Sequence, residues 1–323
     1  MNPILAMLFG GQTRTELKDL TKAKDFPPFL LNATKKLAKA IGNVSPILGA
    51  MLDMEAGFML LDGSATANGA KRCRSFAQEQ HRIVNSNGDT LVGTLYKADV
   101  PSDVIVLCVH GYRMNAESEF SRYIPAYHDM GYHVFAYHQT GAGLSEGKYV
   151  TFGIQESNDG VQWVKYLAKL YPEAKICLHG DSLGAATVLM MTGKSDLPDA
   201  VRCAVADSAY ASAEHEFTDL LGEFHIPGRP LYKLVRKMFL KESGYDLNDA
   251  DPLSAVARSK TPTLFIHGTA DVLVPTVNVD RVYGACAAEK DLIRYPDAHH
   301  CQSEYFYHEE YFEKIERFHK RYL

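Results

Sequence analysis

Residues 175–187 read Lys175-Ile176-Cys177-Leu178-His179-Gly180-Asp181-Ser182-Leu183-Gly184-Ala185-Ala186-Thr187. Within a few residues the pattern changes from a strand to a helix. KICLHGD (175–181) is a short apolar run, as a buried strand should be, and Leu183–Thr192 has helical character. Between them stands Gly180-Asp181-Ser182-Leu183-Gly184, a G-x-S-x-G turn. A strand-to-helix turn this tight tolerates no bulk at its flanks. It forces Ser182 into a strained conformation and lifts its hydroxyl above the carboxyl edge of a sheet. The following helix aims its N-terminal N–H groups at the same spot. The plain alternative is a glycine-rich turn with an N-cap serine.

Outward from that turn, strand and helix patterns alternate. On the N-terminal side, HRIVNSN and TLVGTLYKA flank Asn87-Gly88-Asp89, a hairpin signal. DVIVLCVHG (103–111) is a continuous β-branched run, as expected for a strand covered on both faces. A helical stretch over 116–130, the strand HVFAYHQ (133–139) and a helix over Ile154–Leu170 follow. On the C-terminal side, VRCAVADSA (201–209), TPTLFIHGTAD (261–271) and DLIRYPD (291–297) read as strands, and 303–323 as a closing helix. This order predicts an α/β chain with one mainly parallel central sheet and helices on both faces. Residues 210–258 carry Pro227, Pro230 and no strand pattern, which predicts a helical cap inserted between two strands. Residues 1–75 are expected to form an N-terminal helical extension packed on a catalytic domain of residues 76–323.

Composition removes several function classes. There are 34 Lys and Arg against 39 Asp and Glu, a net charge of −5 with no basic block, so nucleic acid is excluded as a partner. The six cysteines show no CxxC pair and no zinc-type Cys/His spacing, so no metal is expected. Cys108, Cys177 and Cys203 lie in apolar strand runs, where cysteine acts as a small core residue. Reduced thiols point to the cytoplasm. The opening MNPILAMLFGGQTRTELK lacks a basic n-region, and its apolar run is short for a signal peptide. Stretch 41–61 is the best membrane candidate. Asp53 and Glu55 interrupt it, so it reads as a surface-packed helix, without stable membrane insertion. No phosphate-binding glycine loop or ligand cluster calls for a cofactor. The oligomeric state is left open.

A serine hydroxyl needs a base that a third group holds in place. In a parallel sheet those groups should follow later strands, whose carboxyl-end loops converge. Asp271 follows the strand TLFIHG, and His300 follows the last strand in Pro296-Asp297-Ala298-His299-His300. Asp207, at the end of its own strand, competes with Asp271 as the acid. An acyl-transfer site also needs two N–H donors facing the developing oxyanion. The backbone N–H groups of Leu183 and Tyr112 are the candidates, with Gly111 allowing the close turn. The His110 side chain is read as structural packing.

These stretches resemble serine hydrolases of the α/β-hydrolase superfamily, closest to bacterial hydrolases grouped with serine aminopeptidase-like and acyl-peptidase-like esterases. VIVLCVHGYRMNAES, HQTGAGLSEGKYVTFG, ICLHGDSLGAAT, ADSAYAS, TPTLFIHGTADVLVP and PDAHH carry the resemblance over residues 80–320. It implies Ser182 as nucleophile, His300 as base, Asp271 as acid, and the Tyr112 and Leu183 amides as oxyanion hole. His300 takes the family position in preference to His299, which stands where the family has glycine. The family loop D-x-R-G-x-G-x-S reads His138-Gln139-Thr140-Gly141-Ala142-Gly143-Leu144-Ser145 here, which puts that loop's packing in question. Relatives often carry an N-terminal membrane anchor, and none is evident in this sequence. The expected function is hydrolysis of small or medium acyl esters through an acyl-enzyme. Peptidase or acyl-peptidase action on short peptides, thioesterase or acyltransferase chemistry, and a non-catalytic binding role are the alternatives. The apolar set Phe217, Leu220, Leu221, Phe224, Leu231, Leu234, Val235, Met238 and Phe239 either covers the cleft or only fastens the insertion.

Overall fold

The computed structural model describes residues 63–223 and 227–323. In chain order its elements are α1 (Gly63–Ser75), β1 (Ala77–Val84), β2 (Thr90–Lys97), β3 (Val104–Val109), α2 (Ala116–Phe120), α3 (Tyr123–Asp129), β4 (His133–Tyr137) and α4 (Ile154–Leu170). Then come β5 (Lys175–Asp181), α5 (Leu183–Thr192), β6 (Val201–Asp207), α6 (Ala213–Glu223), α7 (Gly228–Ser243), α8 (Pro252–Val256), β7 (Thr263–Gly268), α9 (Val277–Ala285), β8 (Lys290–Tyr295), α10 (Ser303–Phe306) and α11 (His308–His319). The eight strands form one sheet in the order β1-β2-β4-β3-β5-β6-β7-β8. The β1–β2 and β2–β4 pairs are antiparallel, and every later pairing is parallel. This is the α/β-hydrolase fold.

The two-residue period of a strand sorts side chains to opposite faces. On β3, Val104, Val106 and Cys108 join Tyr123, Tyr127, Tyr311, Phe312 and Ile315 on one side. Ile105, Leu107 and Val109 join Val161, Trp163, Val164, Val188 and Met191 on the other. Both faces are therefore dry, which is why the run reads as continuously apolar.

Two expected helices are broken. The stretch 116–130 splits because Pro125 has no N–H for the Ser121 carbonyl and its ring would clash there. That carbonyl instead meets the Cys73 thiol at 3.5 Å, and Gly69 packs so closely that an added Cβ would lie 2.3 Å from its oxygen. The stretch 303–323 splits at Tyr307, whose backbone (φ −128°, ψ 33°) leaves the helix. Its ring stacks on Tyr295 at 4.8 Å and its hydroxyl donates to Pro296 O at 2.9 Å.

The insertion between β6 and β7 is helical and has a small core of its own. Tyr232, Val235 and Phe239 are buried there, with Phe217, Leu231 and Met238 packed on them and on Tyr149, Phe152 and Ile154 of the body. Those members of the apolar set fasten the insertion. Phe224 lies outside the described residues. So do residues 1–62 of the N-terminal extension, with the stretch 41–61; its last part is α1, which Arg72–Asp129 ties to α3 at 2.7 Å. Among the described residues no helix is long and apolar enough to cross a membrane.

Candidate active site

The turn after β5 has the strain expected of it. Ser182 sits at φ 55°, ψ −117°, a backbone conformation that a side-chain-bearing residue rarely adopts. Its N–H donates to the Asp207 carbonyl at 2.8 Å, which ties the turn to the end of β6. The flanking glycines are sterically required. A Cβ on Gly180 would lie 2.3 Å from Gly184 O, and one on Gly184 would lie 1.8 Å from Val109 O. Helix α5 can thus start directly above the sheet, with Leu183 as its first residue.

Three of the candidate side chains meet at this turn. The Ser182 hydroxyl lies 2.7 Å from His300 Nε2, and His300 Nδ1 lies 2.8 Å from Asp271 Oδ2. A carboxylate only accepts, so Nδ1 carries the proton and Nε2 presents its lone pair to the serine O–H. Asp271 is itself fixed. Its Oδ1 accepts the N–H groups of Leu273 at 3.0 Å and Val274 at 2.8 Å. Buried His267 stands close by and donates from Nε2 to the Val274 carbonyl at 2.8 Å; burial lowers its pKa. The tight fit of the two loops depends on Gly268, where a Cβ would lie 2.2 Å from Ala298 O.

The competing side chains take other partners. Asp207 accepts from Ser208 Oγ and Tyr311 Oη, both at 3.0 Å, and burial raises its carboxyl to about 7. His299 engages Gln302 through its backbone N–H, at 3.3 Å, and its side chain takes no part in the chain of hydrogen bonds. Burial lowers His110 to about 4; its Nδ1 donates to Gly111 O at 2.9 Å and its Nε2 accepts from Gln139 N–H at 3.0 Å. That is a packing role.

The loop whose packing was in question is held by its own substitutes. Gln139 Nε2 donates to His110 O at 2.5 Å, and the Thr140 hydroxyl donates to buried Asp159. Gly143, at φ 53°, leaves room for His138: a Cβ there would lie 2.2 Å from His138 Nδ1.

Beside the candidate amides of Tyr112 and Leu183, the Glu119 carboxylate accepts the Gly111 N–H and so orients the loop that carries Tyr112. Tyr112 packs in one cluster with Leu183, Val150 and Val274, and the Arg113 guanidinium lies 5.1 Å from its ring centre. A small pocket opens beside Leu183, with Gly111, Arg113, Gln139 and Val150 in its wall. The role of Glu119 was not legible in sequence, because nothing local marks a helical glutamate as the partner of an amide eight residues earlier. Also unforeseen is a buried polar network beneath the turn. His179 links Tyr127 to Asp181 at 3.2 Å and to Tyr311 at 3.3 Å, and Tyr311 continues to Asp207.

The family described as the prolyl oligopeptidase family matches residues 118–323. The uncharacterized protein YqkD of Bacillus subtilis (strain 168) is 28% identical over 207 residues, 64% of this chain and 67% of that protein. The chain thus spans about two thirds of the length of the curated relatives it matches. Among solved structures, the Pyrococcus furiosus esterase Pf2001 superposes with a TM-score of 0.60 at 25% identity, over 77% of this chain and 92% of that one. The acylaminoacyl peptidase of Pyrococcus horikoshii shares the fold, with a TM-score of 0.59 at 16% identity, over 78% of this chain and 42% of that one.

Proposed function

Because this chain belongs to the prolyl oligopeptidase family and is a serine hydrolase on the α/β-hydrolase fold, we propose that Ser182 is its nucleophile, His300 its general base and Asp271 the acid that orients the base. The observation that carries this reading is the chain from Ser182 Oγ to His300 Nε2 at 2.7 Å and from His300 Nδ1 to Asp271 Oδ2 at 2.8 Å.

In this mechanism Ser182 Oγ attacks the acyl carbonyl carbon while its proton passes to His300 Nε2. The carboxylate of Asp271 stabilises the imidazolium that results. The tetrahedral oxyanion lies between the amides of Tyr112 and Leu183. Collapse breaks the bond to the leaving group, to which His300 gives the proton it took from Ser182. Water, deprotonated by His300, then attacks the acyl carbon; the carboxylic acid departs as His300 returns that proton to Ser182 Oγ.

For the substrate we propose small or medium acyl esters, a carboxylesterase activity. The likeness to an esterase at 25% identity supports it, as do the apolar residues that Tyr112 and Leu183 keep around the turn. The helical insertion over residues 210–258 would then cap the cleft. Residence in the cytoplasm rests on the six cysteines, which lack the spacing of a disulfide framework. A peptidase or acyl-peptidase is the second reading, favoured by the family match itself.

The test is hydrolysis of p-nitrophenyl esters from C2 to C12 beside aminoacyl anilides, with a fluorophosphonate probe. Ester cleavage and labelling, both lost in Ser182→Ala, are expected, and His300→Ala should lose ester cleavage. Faster anilide cleavage would replace the esterase assignment by the peptidase one. Folded protein that neither labels nor turns over would overturn the enzymatic reading.

A further inference from the structure

We propose that Cys177, Cys203 and His319 form a buried binding site for a thiophilic d10 metal ion, zinc(II) before copper(I). The three side chains come from β5, β6 and the last turn of α11. Their ligand atoms all lie within 4.8 Å of one another, and each of the three residues is 0% exposed. Cys177 and Cys203 are direct register partners across the parallel β5–β6 pair, and their sulfurs are 3.4 Å apart. Both ring nitrogens of His319 are buried with no hydrogen-bond partner.

That last observation asks for an explanation. A buried polar group left unsatisfied costs about 1–3 kcal/mol, and buried imidazoles are ordinarily paired. Here the ring is instead held in place by aromatic neighbours. Tyr127 is near-parallel to it at 6.0 Å, and Tyr132 lies at 5.9 Å. The His179 imidazole also lies near it.

A metal ion fits this arrangement in distance, chemistry and charge. Metal–sulfur bonds of about 2.3 Å and metal–nitrogen bonds of about 2.0–2.1 Å place the donor atoms about 3.5–4 Å apart. The sulfurs, at 3.4 Å, would open by a few tenths of an ångström, and any donor pair near the 4.8 Å limit would close by about 1 Å. Two thiolates and an imidazole are soft donors that select zinc or copper(I) over oxygen-seeking cations. Binding of zinc(II) releases both thiol protons and leaves two thiolates, one neutral imidazole and a dication, a sum of zero. In a buried site that neutrality favours zinc, with a water in its fourth position, since copper(I) would leave one uncompensated negative charge. The ion would fasten α11 to the two strands whose carboxyl ends hold Ser182 and Asp207. Because the site is closed, loading occurs as the chain folds.

The test uses the full chain, refolded with zinc(II), with copper(I) under a thiol-free reductant, or with no metal. About one metal per chain and a raised melting temperature are expected for wild type, with a thiolate-to-metal charge-transfer band when cobalt(II) replaces zinc. Cys203→Ser and His319→Leu should each lower the affinity more than about 100-fold, beyond the loss typical of a supporting residue. His319→Leu removes the unsatisfied imidazole, so its metal-free form should melt cooperatively at or above the wild-type temperature. Stoichiometric copper with no zinc retained would keep the site and change its ion. Cooperatively folding wild type that retains neither ion, or equal metal content in both variants, would overturn the proposal.

Discussion

Replacing Asp271 by asparagine separates the orientation of His300 from the folding of its loop. In the wild type, Asp271 Oδ1 accepts two backbone N–H groups, from Leu273 and Val274, while Oδ2 faces His300 Nδ1. An asparagine must keep its single carbonyl oxygen on the two amides, because its NH₂ group cannot accept from them. The NH₂ group then faces His300 Nδ1 at about the 2.8 Å now spanned by Oδ2. Nδ1 becomes the acceptor, the proton moves to Nε2, and Nε2 can no longer take the proton of Ser182. Loss of the correct tautomer with unchanged geometry lowers kcat about 10⁴-fold in a serine triad, equivalent to about 5 kcal/mol of transition-state stabilisation. The melting temperature should move by no more than a few degrees, since both amide hydrogen bonds persist. The assay is ester turnover beside thermal denaturation, with Asp207→Asn as the control that leaves the His300–Asp271 hydrogen bond in place. A loss below about 100-fold in a folded Asp271→Asn variant would refute the reasoning. So would an equal loss in the Asp207→Asn control.

Gly184→Ala would bring a Cβ within 1.8 Å of Val109 O, a backbone atom that cannot rotate away. Helix α5 must lift from β3, at an expected cost of about 1–3 kcal/mol or more and with loss of probe labelling; wild-type melting and labelling would show that the turn has slack. Asp159 offers a pH test. Burial raises its carboxyl to about 7, against the opposing hydrogen bonds from Thr140 and Gln155. The unfolded carboxyl titrates near about 3.9, so between about pH 4 and pH 7 the native state holds a proton that the unfolded chain has released. Stability therefore falls as pH rises through that window, by at most about 4 kcal/mol for this group. Asp159→Asn should flatten the fall in melting temperature, and a profile parallel to wild type would dismiss the assignment.

Much of the fold was legible because its causes are local. The apolar runs 103–111 and 175–181 read as strands because each is buried on both faces, and both are strands at β3 and β5. Ser182 was legible for a steric reason: only residues without a Cβ fit at 180 and 184. Asp271 and His300 were legible from position, since parallel strands deliver their carboxyl-end loops to one edge. The break at Pro125 was equally local and could have been read from the missing N–H.

The tertiary structure decided what depends on contacts between distant segments. Which acid meets His300 follows from the placement of β7 and β8 beside β6, and that placement gives Asp207 to Tyr311 and Asp271 to His300. The break at Tyr307 follows from its stacking on Tyr295. Cys177, Cys203 and His319 show no ligand spacing along the chain. Two are brought together by strand register and the third by the packing of α11 across them. Local pattern records which way a side chain faces and how much backbone room it needs. It does not record which neighbour the sheet order and helix packing will set against it.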